Sequence, residues 1–65
     1  MSSEDWILLL SSSDAIRIEI AKGRLEAEGI LSVIHNKKDS NYGFGSVELH
    51  VRREDYLKAK NLLDA

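Results

Sequence analysis

The spacing of the apolar side chains changes from one segment of this chain to the next, and that changing period constrains the fold more than any other feature. In "SVELHV", residues 46–51, Val47, Leu49 and Val51 alternate with Glu48 and His50. Successive side chains of a strand point to opposite faces, so this segment reads as a strand with one buried face. "ILSVIHN", residues 30–36, is rich in β-branched residues and reads as a second strand. "DWILLLS", residues 5–11, is too short for a stable helix and runs into a serine cluster, so it reads as a third. Between these the period is helical. Ser12 or Ser13 can cap a helix over about residues 13–28, Asp14 favours its first turn, and Gly29 supplies the left-handed residue that ends it. In "RREDYLKAKNLLDA", Tyr56 or Leu57, Ala59 or Lys60, and Leu63 recur at helical spacing behind Glu54 and Asp55.

The order is therefore β, α, β, β, α. Short connections, right-handed crossovers and a hairpin between the second and third strands predict an α+β fold. The sheet has three antiparallel strands in the order 1-3-2, with both helices on one face. This is a ferredoxin-like sandwich without its last strand, and residues 1–65 are expected to form a single domain. Two surfaces then lack company: the free edge of the first strand, and the face of the sheet away from the helices.

Alternation assigns side chains to these surfaces. With Ile7 and Leu9 toward the helices, Trp6, Leu8 and Leu10 fall on the open face. Val47, Leu49 and Val51 point inward, and Glu48 and His50 outward. The second strand is ambiguous, because Ile30, Ser32 and Ile34 form one mostly apolar set and Leu31, Val33 and His35 the other. The first helix carries more apolar surface than a sheet can cover. Ala15, Ile18, Ala21 and Leu25 form one stripe, while Ile16, Ile20 and Ala27 form another that meets either the closing helix, through Leu57, Leu62 and Leu63, or a second molecule.

Composition excludes several classes of function. There are no cysteines and only two histidines, which removes disulfides and the usual zinc knuckles. A hairpin closed near Asn36 and Ser46 pairs His50 with a residue near Ser32, leaving His35 and His50 out of register, so no metal is expected. The longest apolar run, Trp6 to Leu10, falls far short of the roughly 20 residues of a membrane-spanning helix, and no secretory leader precedes it. Nine basic and eleven acidic residues, interspersed, present no basic face to nucleic acid.

Residues 37–45, between the second and third strands, exceed what a hairpin turn demands. Lys37 and Lys38 could meet an anion, Asp39 and Ser40 could form side-chain turns, and Tyr42 and Phe44 could stack on a planar ligand. The alternative is that the glycines permit positive φ and the two aromatics cap the ends of the core. Glu48 and His50, two positions apart on one face, have the chemistry of a base and its orienter, but no nucleophile or oxyanion donors can be assigned beside them. A solvated or interfacial polar pair is the simpler reading.

"KDSNYGFGSVELHV", the preceding "GI", the helix-terminal "RLEAEG" and the closing "REDYLKAKNLL" together resemble a small bacterial family of unknown function described as prokaryotic signal-transducing proteins. The resemblance runs from Trp6 to Leu63. It implies a βαββα ferredoxin-like fold, comparable with nitrogen-regulatory signal transducers, in the bacterial cytoplasm, and it brings no catalytic residues or cofactor. Family members with polar residues at the positions matching Leu8 and Leu31 imply that both side chains face outward, with Ile30 and Ile34 inside.

The expectation is a non-enzymatic regulatory module without cofactor. It would meet a second copy or another protein through Trp6, Leu8, Leu10, Leu31 and Val33 around Glu48 and His50, or through the first-strand edge. The alternatives are a small-molecule sensor whose ligand sits on Lys37, Lys38, Asp39, Ser40, Tyr42 and Phe44, and an enzyme built on Glu48 and His50.

Overall fold

The computed structural model describes residues 5–39 and 44–64. Its elements are β1 (Trp6–Ser12), α1 (Ala15–Ala27), β2 (Ser32–Asp39), β3 (Phe44–Arg52), a 3-10 turn (Arg53–Asp55) and α2 (Tyr56–Asp64). The strands form one antiparallel sheet in the order β1-β3-β2. This is the βαββα, ferredoxin-like α+β arrangement read from the apolar periods.

Local chemistry explains where α1 begins and ends. Asp14 is the N-cap, in place of the expected Ser12 or Ser13: its Oδ1 accepts the Ile16 N–H at 3.0 Å. Ser12 acts one step earlier, its Oγ accepting the Asp14 N–H at 3.0 Å. At the other end Gly29 takes φ 81°, the region in which a side chain is strained. The Gly29 N–H then donates to Glu26 O and the Ile30 N–H to Leu25 O, both at 2.9 Å. This paired closure of the last turn folds Ile30 back against Leu25, and both are buried. The helix stop thus also delivers a side chain to the core.

That core joins Ile18, Ala21 and Leu25 of α1, Ile30, Val47, Leu49 and Val51 of β3, and Ala59 of α2. Leu9, Leu10, Ile34, Tyr56, Leu62 and Leu63 pack around it. Both helices therefore cover the face of the sheet that carries Val47, Leu49 and Val51. The second apolar stripe of α1 is not covered, because α2 turns Tyr56, Ala59, Leu62 and Leu63 inward and Leu57 outward. Ile16, Ile20 and Leu57 are all exposed. One turn of helix offers a single inward position where the sequence held two candidates, and Tyr56 takes it.

Two features of the sheet depart from simple alternation. Trp6, Ile7 and Leu8 pair with Arg52, Val51 and His50, but Leu10 pairs with Leu49, leaving Leu9 as an extra residue. Such a bulge sets two residues of one strand against one of its neighbour. Leu9 and Leu10 both pack on the core as a result. Leu10 is therefore not on the open face. Beyond the bulge, Ser11 pairs with Glu48 and Ser12 with Val47.

The second departure is the length of the hairpin. The ladder between β2 and β3 continues through Lys37, Lys38 and Asp39, opposite Ser46, Gly45 and Phe44. Of the segment read as a long loop, residues 37–39 and 44–45 are strand. Ser40 and Tyr42 lie outside the described residues.

Candidate functional site: the open face of the sheet

Residues paired across a sheet share a face, so the register places every side chain of the open face. Down the centre runs β3, with Arg52, His50, Glu48 and Ser46. On one side β1 sets Trp6 beside Arg52, Leu8 beside His50 and Ser11 beside Glu48. On the other, β2 sets Val33 beside His50, His35 beside Glu48 and Lys37 beside Ser46. Ile34 pairs with buried Leu49, which settles the ambiguous strand: Val33 and His35 face outward. Leu31, one residue before β2, follows the same alternation and is exposed.

The face is thus a polar central strand between apolar flanks. Leu8 is 47% exposed, Leu31 56% and Val33 38%. The long neighbours shield the centre, where the side chains of Glu48 and His50 are each 20% exposed. Glu48 lies between two nitrogen-bearing groups, its Oε2 4.0 Å from Lys37 Nζ and its Oε1 3.8 Å from His50 Nε2. At these distances the contacts are electrostatic and not hydrogen bonds. Arg52 Nη1 reaches Glu54 Oε2 at 3.6 Å, where the chain leaves the sheet. Two atoms of this stripe, His50 Nδ1 and Arg52 Nε, are buried without a hydrogen-bond partner among the described residues.

The two histidines meet. A register in which His50 pairs near Ser32 had separated them, but His50 pairs with Val33, one residue further on, and His35 sits diagonally next to it. Their ring centroids are 5.2 Å apart, with planes inclined by 57°. The one-residue difference in register follows from Ile34 lying opposite Leu49 on the buried face, which sets every other pair of the ladder. Even so, no three His, Cys, Asp or Glu side chains among the described residues stand together as a metal-holding group.

Of the expected contact residues, Trp6, Leu8, Leu31, Val33, Glu48 and His50 share this face, and Leu10 does not. Of the expected ligand segment, the described residues are strand. Lys37, Lys38 and Asp39 belong to β2 and Phe44 to β3, and the contact of Lys37 with Glu48 lies on the open face. Arg52 and Lys37 escaped the sequence reading of the face. Arg52 could have been found by extending the alternation of Glu48 and His50 by one more step. Lys37 could not, since nothing local marks where β2 ends.

On the helix side a cleft of about 400 Å3 opens where β1 ends, lined among others by Leu10, Ile20, Leu63, Arg17 and Asp64. Arg24 also lines it and is engaged, its Nη2 donating to Leu62 O at 3.3 Å near the end of α2. Among the described residues no helix is long and apolar enough to cross a membrane.

No curated protein and no solved structure matches the chain significantly. One family does, over residues 6–65, which takes in all three strands and both helices. By that match the chain belongs to the family described as "Putative prokaryotic signal transducing protein".

Proposed function

We propose that this chain is a non-enzymatic regulatory module that associates with a second copy of itself through the open face of its sheet. The observation that carries the reading is the exposure of Leu8, Leu31 and Val33 on one face, beside Trp6, where α1 and α2 cannot reach. Scattered surface leucines need no explanation, but apolar side chains grouped on an uncovered sheet face mark an interaction surface. The family's description as signal transducing supports a binding role over a catalytic one.

Self-association suits the charges. A two-fold interface must be complementary to itself, and the stripe of Glu48, Lys37 and Arg52 holds both signs, so a carboxylate of one copy can meet a cation of the other. Pairing along the β1 edge suits the structure less well. The bulge at Leu9 breaks the row of ladder groups that an added strand must meet. The sensor reading loses its main support, since the ladder absorbs most of the length that had suggested a ligand loop. An enzyme built on Glu48 and His50 lacks the hydrogen bond that a base and its orienter share.

About half of each exposed Leu8, Leu31 and Val33 side chain remains to be covered, worth about 1 kcal/mol apiece. Six such side chains across a two-fold axis contribute about 6 kcal/mol before the cost of association, which points to millimolar or weaker affinity unless the polar stripe adds to it. Light scattering after size exclusion, over micromolar to millimolar protein, tests this. The wild type should shift toward dimer with concentration and Leu8→Lys should remain monomeric. A wild type that is monomeric throughout, or a Leu8→Lys variant that dimerises equally well, overturns the proposal.

A further inference from the structure

The pairing of β2 with β3 brings together the chain's only two histidines, one from each strand. We propose that His35 and His50 chelate a single divalent transition-metal ion, of the class of Cu2+, Ni2+ or Zn2+, with Glu48 as the third protein ligand. The contact of the two rings and the place of Glu48 beside His50 carry this assignment.

The geometry of the ring pair is the first argument. A metal such as zinc binds imidazole nitrogen at about 2.0 Å, which places the ring centre roughly 3 Å from the ion. Two imidazoles bound at a tetrahedral angle then hold their centres about 5 Å apart. The observed separation is 5.2 Å with the planes inclined by 57°, the spacing that two imidazoles bound to one ion require. His35 is exposed, and ions can reach the pair from solvent.

The carboxylate is the second argument. Ligands around a small tetrahedral ion stand about 3.3 Å from one another. Glu48 Oε1 lies 3.8 Å from His50 Nε2, so it is the carboxylate in position to turn toward an ion held by the two imidazoles. The two-histidine, one-carboxylate set is not preassembled, since no three such side chains already form a metal-holding group. Only the imidazole pair is in place. Glu48 must leave Lys37, whose Nζ is 4.0 Å from Oε2, and a contact at that distance to an exposed lysine is weak enough to yield. Imidazole and carboxylate donors suit the later first-row metals, with copper held more tightly than nickel or zinc.

Ring packing alone also tolerates such a separation, so the experiment must test each imidazole separately. The intact chain is titrated with CuCl2 while the fluorescence of its only tryptophan is followed. Trp6 lies on the same face, two residues before the neighbour of His50, and bound Cu2+ should quench it. A parallel titration with ZnCl2 is followed through the two imidazole resonances by NMR. Expected are one saturable equivalent per chain, both imidazoles shifting together, tighter binding of Cu2+ than of Zn2+, and a loss of at least about tenfold in affinity for His35→Ala and for His50→Ala. His35 is exposed, so its alanine variant should stay folded and keeps the test decisive even if His50→Ala does not. The proposal is overturned by absence of saturation at millimolar metal, or by unchanged affinity in His35→Ala. Leu8→Lys separates this proposal from the dimer: a monomeric variant that binds metal normally supports a chelate within one chain. Loss of metal binding together with dimerisation in that variant assigns the ion to the space between copies and overturns it.

Discussion

Leu8 and Leu10 are two residues apart in one strand, and simple alternation makes them equivalent. The bulge at Leu9 makes them opposites, with Leu8 beside His50 on the open face and Leu10 beside Leu49 on the core. Truncating each to alanine measures that difference. Leucine-to-alanine changes in well-packed cores cost 2–5 kcal/mol. Leu10 is only partly buried, so the lower end applies, and Leu10→Ala should cost about 2 kcal/mol. Leu8 is 47% exposed and touches the core nowhere, so Leu8→Ala should cost about 0.5 kcal/mol or less. A domain of this length holds about 3–5 kcal/mol in total. Its urea slope should be about 1 kcal/mol per molar. The predicted midpoint therefore falls by about 2 M for Leu10→Ala and by about 0.5 M or less for Leu8→Ala. Urea titrations followed by Trp6 fluorescence measure both, extrapolated to low protein concentration so that any association through the open face drops out. Equal shifts for the two variants, or a larger one for Leu8→Ala, would refute the bulge and with it the inward placement of Leu10.

The ends of α1 yield two further predictions. At Gly29 an added Cβ meets nothing within 4 Å, so Gly29→Ala carries only the backbone cost of φ 81°, about 1–2 kcal/mol, and Gly29→Asn should recover part of it in the same urea assay. Asp14→Ala removes the oxygen that holds the Ile16 N–H and should cost about 1 kcal/mol, while Asp14→Ser, which keeps a capping oxygen, should cost little.

The legible parts of the fold were those coded by short-range chemistry. Val47, Leu49 and Val51 announced their strand by alternation, and Gly29 announced the helix stop because few other residues take its backbone angle at no cost. Which hydroxyl or carboxylate caps α1 was less clear, since Ser12, Ser13 and Asp14 are all competent and only the path of the chain makes Asp14 the residue at the junction. Leu10 was misplaced because a bulge leaves no local mark: "ILLLS" is apolar whichever way each leucine points, and the burial that selects the inward face comes from α1 and α2. The hairpin was drawn too short for a similar reason. Lys37, Lys38 and Asp39 are polar on both faces, so the alternation that reports a half-buried strand disappears toward the end of β2.

The polar end of β2 bears directly on the site. Register is specified by the need to bury one face of a strand, and a polar, two-sided segment specifies it weakly. In this chain the specification comes from the other end of β2, where Ile34 must lie against Leu49 and the closed turn at Gly29 places Ile30 on Leu25. Once those apolar contacts set the ladder, His35 has no choice but to fall beside Glu48 and diagonal to His50. The polar stripe of the open face is therefore a consequence of packing on the hidden one. Any activity of the stripe, whether pairing with a second copy or holding a metal ion, depends on Ile34 more than its own exposure suggests. Ile34→Ala should weaken both functions by loosening register before it unfolds the domain, whereas Val33→Ala, on the outer side of the same strand, should affect association alone.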